Sequence, residues 1–275
     1  MFSHLLITRF NIKVSGFGPE RMTSQSSAEW LQERLRIFNM YCVPSVISQS
    51  NTDFTWLIYF DSDTPIKIIN EVSTLKNKIS HLKIILVDHF DAFVEDIIRK
   101  IRTSPEPYVI SSRLDNDDLI SSEYINSVQN AFIPVHNTII NFNAGYELSL
   151  PDHVLRKWNN SFKNQFTSII EDKSEPDILT IYGFPHWRPP ALSQTINIKT
   201  RPMWIYLIHG KNYSEQPGKG IPIFYKSNLT LFPVCIRRYD LSIFNTVRYS
   251  VKWLPTIIMR RLKNTFYSGH VKRNI

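Results

Sequence analysis

Cysteine is nearly missing from this 275-residue chain, which holds only Cys42 and Cys235. Two thiols so far apart make neither a metal-ligand pattern nor a disulfide framework, so the default is a reducing, cytoplasmic setting with two structural cysteines. Long apolar runs are absent too. No stretch reaches the roughly 18 residues that span a bilayer, which points to a soluble or peripheral protein. Residues 1–13 show neither a basic leader nor a small-residue cleavage site and read as a first strand. Glycine is scarce where phosphate chemistry would want it. Gly16-Phe17-Gly18-Pro19 is too irregular for a dinucleotide fingerprint and supplies no Lys-bearing phosphate loop. Acidic residues stop at Asp240, past which Arg248, Lys252, Arg260, Arg261, Lys263, Lys272 and Arg273 are all basic.

What is present suits a globular α/β protein. A hydrophobic share of 43% with 13% aromatics argues against disorder. The formal charge of +8 suggests an anionic partner: a nucleotide, a phospholipid surface or nucleic acid. Much of that surplus lies in the last segment.

Taken in order, residues 4–12 form an apolar run suited to a central strand, with Arg9 and Asn11 at its end. Residues 27–48 turn helical, with Trp30, Leu31, Leu35, Phe38 and Cys42 at steps of three and four, Ser26 or Ser27 as cap, and Pro44 ending or kinking the helix. Residues 54–60 are a second strand, and Asp61-Ser62-Asp63-Thr64-Pro65 opens a helix running to about residue 78. Residues 83–87 are a third strand, followed by a helix over 93–102 and a fourth strand ending at Ser111. This alternation implies parallel βαβ units. Further on, residues 137–142 and 145–150 read as a β-hairpin and 158–170 as partly helical, closing on Glu171-Asp172. Residues 177–182 read as a strand, His186-Trp187 as part of a rigid loop, and residues 203–208 as a strand that ends near His209. The tail from residue 244 carries apolar residues at helical steps with basic ones between, and Pro255 divides it into two short helices. It reads either as a membrane-surface element or as an ordinary packing helix.

The decisive stretch is Ser112-Arg113-Leu114-Asp115-Asn116-Asp117-Asp118. A buried strand breaks here into three carboxylates within four residues. Asp and Asn disfavour strand interiors, so the acids belong at the strand's C-terminal edge, where open α/β sheets bind ligands. Carboxylates this close need a cation or basic group between them. Mg²⁺ and Mn²⁺ prefer such oxygen donors and share them with substrate phosphates, so the chemical reading is a metal–diphosphate site. The plainer reading is a solvated acidic turn, with Asp117 or Asp118 capping a helix over residues 119–132.

The ordered set of a first strand ending in Thr8-Arg9-Phe10, a helix opening near Trp30, FTWLIYFDSDTP, SRLDNDDLI, the pair Glu171-Asp172 and a late strand running into His209-Gly210 resembles the bacterial family described as putative rhamnosyltransferases. These are GT-A-type nucleotide-sugar glycosyltransferases, and the match spreads over residues 4–212. The resemblance implies a GT-A-like, Rossmann-like mixed and mainly parallel sheet flanked by helices. It implies an inverting, metal-dependent transfer of a sugar, rhamnose among the candidates, from a nucleoside diphosphate to a glycan or lipid-linked glycan. It places Asp61 and Asp63 at the base or ribose, Arg9 beside the nucleotide, and Arg113 on the acids or a phosphate. Asp115, Asp117 and Asp118 become acids of a DxD motif for Mn²⁺ or Mg²⁺, with Asp115 also facing the donor and His209 a further metal or phosphate ligand. Glu171 or Asp172 becomes the catalytic base.

Each assignment has a plainer counterpart. Asp61 and Asp63 suit a helix cap, Glu171-Asp172 a surface turn, and His209 a satisfied buried histidine. Two rival functions are a nucleotidyltransferase, whose phosphate loop is missing, and a non-catalytic module that binds a membrane or polyanion through the tail. The expected organisation is one transferase domain over residues 1–235 and a basic amphipathic extension over 236–275.

Overall fold

The structure, a computed structural model, describes residues 1–13, 27–158, 164–185, 193–210, 220–224, 229–251 and 255. Its first half follows the alternation of period-two and helical patterns. β1 (Phe2–Arg9), β2 (Thr55–Asp61) and β3 (Leu82–Val87) lie side by side and parallel, and β4 (Tyr108–Arg113) pairs parallel on the other flank of β1. The sheet continues through β9 (Thr167–Asp172), β6 (Thr138–Phe142) and β10 (Gln194–Ile198), giving the order β10-β6-β9-β4-β1-β2-β3 with β9 antiparallel to both neighbours. The architecture is thus mixed α/β with a mainly parallel central sheet. Trp56 to Asp61 of β2 are all buried, as expected of a strand covered on both faces. The chain winds from β1 to β2 and β3 on one side and then returns to β4 on the other. The C-terminal ends of β1 and β4 therefore form a topological switch point, the crevice where open sheets receive ligands.

Helices α1 (Ala28–Ile37), α3 (Ile66–Ser73) and α4 (Phe90–Arg102) lie against this sheet. Ser27 caps α1, its Oγ accepting from the Trp30 amide at 3.2 Å. Pro44 does not end the helical run. It lacks an amide proton for an i−4 carbonyl, and the chain accommodates it through a π-type turn at Phe38–Cys42 before continuing as α2 (Val43–Ile47).

A second sheet, in the order β12-β8-β7-β11-β5 with β12 being Ile221–Pro222, corrects several expectations. Residues 137–142 and 145–150 are not a hairpin: β6 belongs to the first sheet, whereas β7 (Gly145–Ser149) pairs with β8 (Val154–Trp158) and β11 (Trp204–Ile208) in the second. Between them, the Ala144 carbonyl accepts from the Met203 amide at 3.0 Å and the Asn143 amide donates to Ile198 at 3.1 Å, so the chain passes from one ladder to the other without a two-residue turn. Of residues 158–170, Trp158 belongs to β8 and Thr167–Ile170 are ladder-bonded in β9, so no helix lies among the described ones, and residues 159–163 lie outside the described residues. Residues 177–182 are not a strand. Thr180 has φ +56°, outside any extended conformation, and the segment folds as a loop. The acids do not cap a long helix: Leu119–Ile120 form β5, antiparallel to β11, and α5 spans only Tyr124–Asn130. Residues 14–26 and 186–190 and most of the tail beyond 251 lie outside the described residues. Residues 243–251 are helical. α6 (Val234–Arg237) straddles the expected boundary at 235, and Ile236, Tyr239 and Leu241 pack with Ile37 and Tyr41 in one apolar cluster. Among the described residues no helix is long and apolar enough to cross a membrane.

Gly145 and Trp204 lock the second sheet together. A Cβ at Gly145 would fall 2.1 Å from the Trp204 ring, which stacks on Phe166 with centroids 4.9 Å apart. Close ring-over-backbone contact at this point requires glycine.

Candidate functional site

The pairing registers place Arg9 beside Tyr59 and Ile7 beside Arg113, so the ends of β1, β2 and β4 share one edge. Asp61 ends β2 and is 3% exposed. Its Oδ1 accepts from the Asp63 amide at 3.0 Å, while the Asn11 side chain accepts from the Asp61 amide at 3.2 Å and donates to Thr64 Oγ1 at 2.9 Å. Asp61 Oδ2 is buried and accepts no hydrogen bond among the described residues. Lys13 Nζ stands 3.7 Å from it and 3.5 Å from Asp63 Oδ2. A buried carboxylate oxygen held ready in this way is a strong acceptor for a ligand N–H or O–H. Asp63 itself is open to solvent. Arg9 stands at the same edge, with its guanidinium 6.0 Å from the Phe90 ring centroid.

The acidic turn lies at the same strand edge, and each carboxylate has a distinct partner. Arg113 donates to both oxygens of Asp115, at 3.1 and 2.8 Å, a bidentate pair that also rests on the face of Tyr182 at 5.0 Å. Asn116 is buried and turns inward, donating to the Phe10 carbonyl at 2.8 Å and so tying the turn to the end of β1. Asp117 is met by Arg34, whose buried guanidinium reaches it from α1, stacks on Trp30 at 4.8 Å and lies 3.4 Å from Asn116 Oδ1. His209 Nε2 completes that group, 3.1 Å from Asp117 Oδ2 and 3.4 Å from Arg34 Nη1. It arrives there because β11 runs antiparallel to β5, which returns the residue after Ile208 to the turn. Burial alone would push the Asp117 carboxyl up, but the Arg34 charge and the His209 contact outweigh it and hold the group below the usual carboxylate range.

Asp118 turns away from the crevice. It is 1% exposed, its Oδ1 accepts from the Leu207 amide at 3.0 Å and its Oδ2 from Gln165 at 3.2 Å. Burial, with Asp117 and Asp115 adding to it, drives its carboxyl well above the ordinary value. This is the environment of a structural acid that ties the turn to β11.

The remaining sequence candidates lie elsewhere. β9 pairs with β4 so that Glu171 faces Val109 and Asp172 faces Tyr108. At about 3.3 Å per residue, Asp172 is on the order of 15 Å back along the strand from Arg113, at the opposite edge of the sheet. The structure does not bring this pair to the acidic turn. Glu171 Oε1 instead accepts from the Leu179 and Thr180 amides at 2.8 and 2.9 Å, holding the loop that carries Tyr182 under Arg113. Tyr182 in turn donates to the Ile7 carbonyl at 3.2 Å. Burial pushes the Glu171 carboxyl up to about 7, against an ordinary 4.5. The folded protein thus holds this proton more tightly than the unfolded chain. The stability linked to it is complete below about pH 4.5 and is lost as pH rises through about 7. Glu171→Gln, neutral throughout, should flatten the dependence of the thermal midpoint on pH between about 5 and 8, leaving it a few degrees above wild type at the alkaline end. Parallel pH profiles of the two proteins in scanning calorimetry would remove Glu171 from this role.

Arg34 is the residue that the sequence reading passed over, although a signal was there. It lies four residues after Trp30 and four before Phe38, on the apolar stripe of α1, where an arginine has no business without a buried partner. Asn116 and Lys13 carried no comparable mark.

The model of the family described as "Putative rhamnosyl transferase" matches residues 1–220. The chain belongs to this family. No curated protein matches the sequence. Among solved structures, S. aureus TarS residues 1–349 in complex with UDP is 11% identical, with 76% of this chain and 61% of that one covered and a TM-score of 0.44. HddC from Yersinia pseudotuberculosis complexed with GMP-PN is 12% identical, with 74% and 93% covered and a TM-score of 0.38. The chain spans about three fifths of the 1–349 TarS structures it matches.

Proposed function

We propose that this family member moves a sugar, rhamnose being the one the family description names, from a nucleoside diphosphate to a glycan or lipid-linked glycan acceptor. The observation that carries the reading is the convergence of two features on one strand-end crevice: the unbonded Oδ2 of Asp61, and the Asp115–Asp117 turn with Arg34 and Arg113. In this reading Asp61 accepts from the base or ribose, Arg9 lies alongside, and the diphosphate rests over the turn. A lipid-linked acceptor would be met at a membrane surface.

The donor chemistry of the turn suits a divalent ion: Asp115 and Asp117 offer hard carboxylate oxygens, and His209 stands beside them. Among the described residues, however, no three metal-ligating side chains are gathered into a preformed cage, and both acids are already matched by arginines. An ion alone would have to displace Arg34 or Arg113, whereas a diphosphate offers those guanidiniums a new partner. When bound, Mg²⁺ or Mn²⁺ would act as a Lewis acid on the departing diphosphate. Arg34 and Arg113 would orient the phosphates, and His209 would steady Asp117. The base for the acceptor hydroxyl, in this reading, is a group other than Glu171 or Asp172.

Binding of ion and nucleotide should accordingly be coupled. Calorimetry is expected to show Mn²⁺ binding at least about tenfold more tightly with a nucleoside diphosphate present than without, and the nucleotide gaining by the same factor from the ion. Equal Mn²⁺ affinity in both titrations would sink the coupled ion. A thermal midpoint indifferent to every nucleoside diphosphate would sink the donor site itself.

A further inference from the structure

Residues 243–251 form a helix whose sides are reversed relative to an ordinary packing helix. Its inward side is polar. Thr246 is 1% exposed, Asn245 Nδ2 donates to the Asp152 carbonyl at 2.8 Å, Ser250 Oγ bonds back to Thr246, and the Tyr249 ring lies 4.7 Å from the Arg156 guanidinium. Its outward side is apolar: Ile243, Phe244, Val247 and Val251 are 73%, 75%, 47% and 69% exposed. At about 100° per residue these four fall within one arc of roughly 100°, and Arg248 comes next around the helix. A helix docked on a globule normally turns such a stripe inward, so a contiguous outward stripe marks a contact surface for something else.

Charge identifies the occupant. Arg237 and Arg238 are exposed at the C-terminal end of the preceding α6, Arg248 borders the stripe, and no acidic residue follows Asp240. A second copy of the chain would bring like charges together around the stripe, which is unfavourable. Nucleic acid would meet mainly aliphatic side chains where it needs stacking rings. An anionic lipid surface answers both features, receiving the stripe at the level of the acyl chains and the arginines among the headgroups. We propose that residues 243–251 dock this protein on an anionic membrane surface, with Ile243, Phe244, Val247 and Val251 inserted and Arg248 paired with lipid phosphates. Among the described residues, none of the contacts that hold the helix involves Asp61 or the acidic turn, so the surface stands whether or not the transfer reading does.

Sedimentation of the full chain with vesicles tests it. Wild type should bind phosphatidylcholine vesicles doped with phosphatidylglycerol at least about tenfold more tightly than phosphatidylcholine alone, with the difference shrinking as salt is raised. Phe244→Asp/Val247→Asp should lose at least about tenfold on the doped vesicles while keeping the wild-type thermal midpoint, since both side chains are exposed. Arg248→Glu should weaken binding to doped vesicles and leave the phosphatidylcholine value alone. Equal binding by wild type and the double variant, or no binding by wild type to either vesicle, would overturn the proposal. So would a concentration-dependent dimer that the double variant breaks, since the stripe would then belong to a second copy.

Discussion

Arg34→Met should abolish most transfer, by roughly two to three orders of magnitude, with the fold retained but weakened. The side chain is 8% exposed and its charge is matched by Asp117, which is 14% exposed. Removing the guanidinium strands a carboxylate in a site where burial alone would raise it and only the His209 contact remains to oppose that. Losing one partner of such a pair costs about 3–5 kcal/mol where burial is complete, so a somewhat smaller figure is expected here. The kinetic loss has a separate origin, the removal of a preorganised donor at developing charge, which typically costs about 10²–10³ in rate. The two effects separate in the double variant Arg34→Met/Asp117→Asn, which should recover thermal midpoint but not turnover. The sign for pH follows. Asp117 is held low in wild type, so the stability it supports is present above the unfolded carboxylate range and is lost only in stronger acid. Without Arg34 that loss moves to milder acid. Turnover of Arg34→Met within a few-fold of wild type would end the claim that this arginine serves the diphosphate.

The second large effect is expected in the other sheet and concerns stability alone. Glu147 and Arg156 form a buried pair across β7 and β8, with Nη1 2.8 Å from Oε1 and side chains 1% and 3% exposed. Glu147→Ala leaves a guanidinium inside with the Tyr249 face as a weak substitute, and should cost about 3–5 kcal/mol in denaturant unfolding. Glu147→Leu/Arg156→Met should fall much closer to wild type, because apolar residues of similar volume replace a pair whose desolvation is costly. If the double variant is as unstable as Glu147→Ala, the pair contributes through shape and not through charge.

The half of the fold built from local pattern was legible. β1 to β4 and α4 stand near where apolar runs and helix steps place them, and β2, covered on both faces, writes itself as a continuous apolar run. The second sheet was not. Gly145 to Ser149 and Trp204 to Ile208 look like strands anywhere, but their pairing with each other joins residues more than fifty apart and leaves no local trace. The hairpin reading of residues 137–150 failed for that reason. At the site, the strand-end position of Asp61 and of Asp115–Asp118 could be argued from composition, whereas the direction each side chain takes could not. Asp118 faces Leu207, and Asp117 faces Arg34 and His209, because β5 pairs with β11. The Glu171-Asp172 pair shows the opposite hazard. Two adjacent acids look alike in sequence, yet one is a buried anchor and the other a surface cap bonded to Ser174.

Five residues, Leu114 to Asp118, join the last position of one sheet to the first of the other. Because side chains on a strand alternate between faces, inserting or deleting a single residue in that bridge would force β5 either to slip against β11, turning Leu119 and Ile120 inside out, or to drag the acids off the end of β4. The length of this link is therefore as constrained as its chemistry. Variation in such a chain has room in the loops far from the bridge, while the bridge can change letters but not their number.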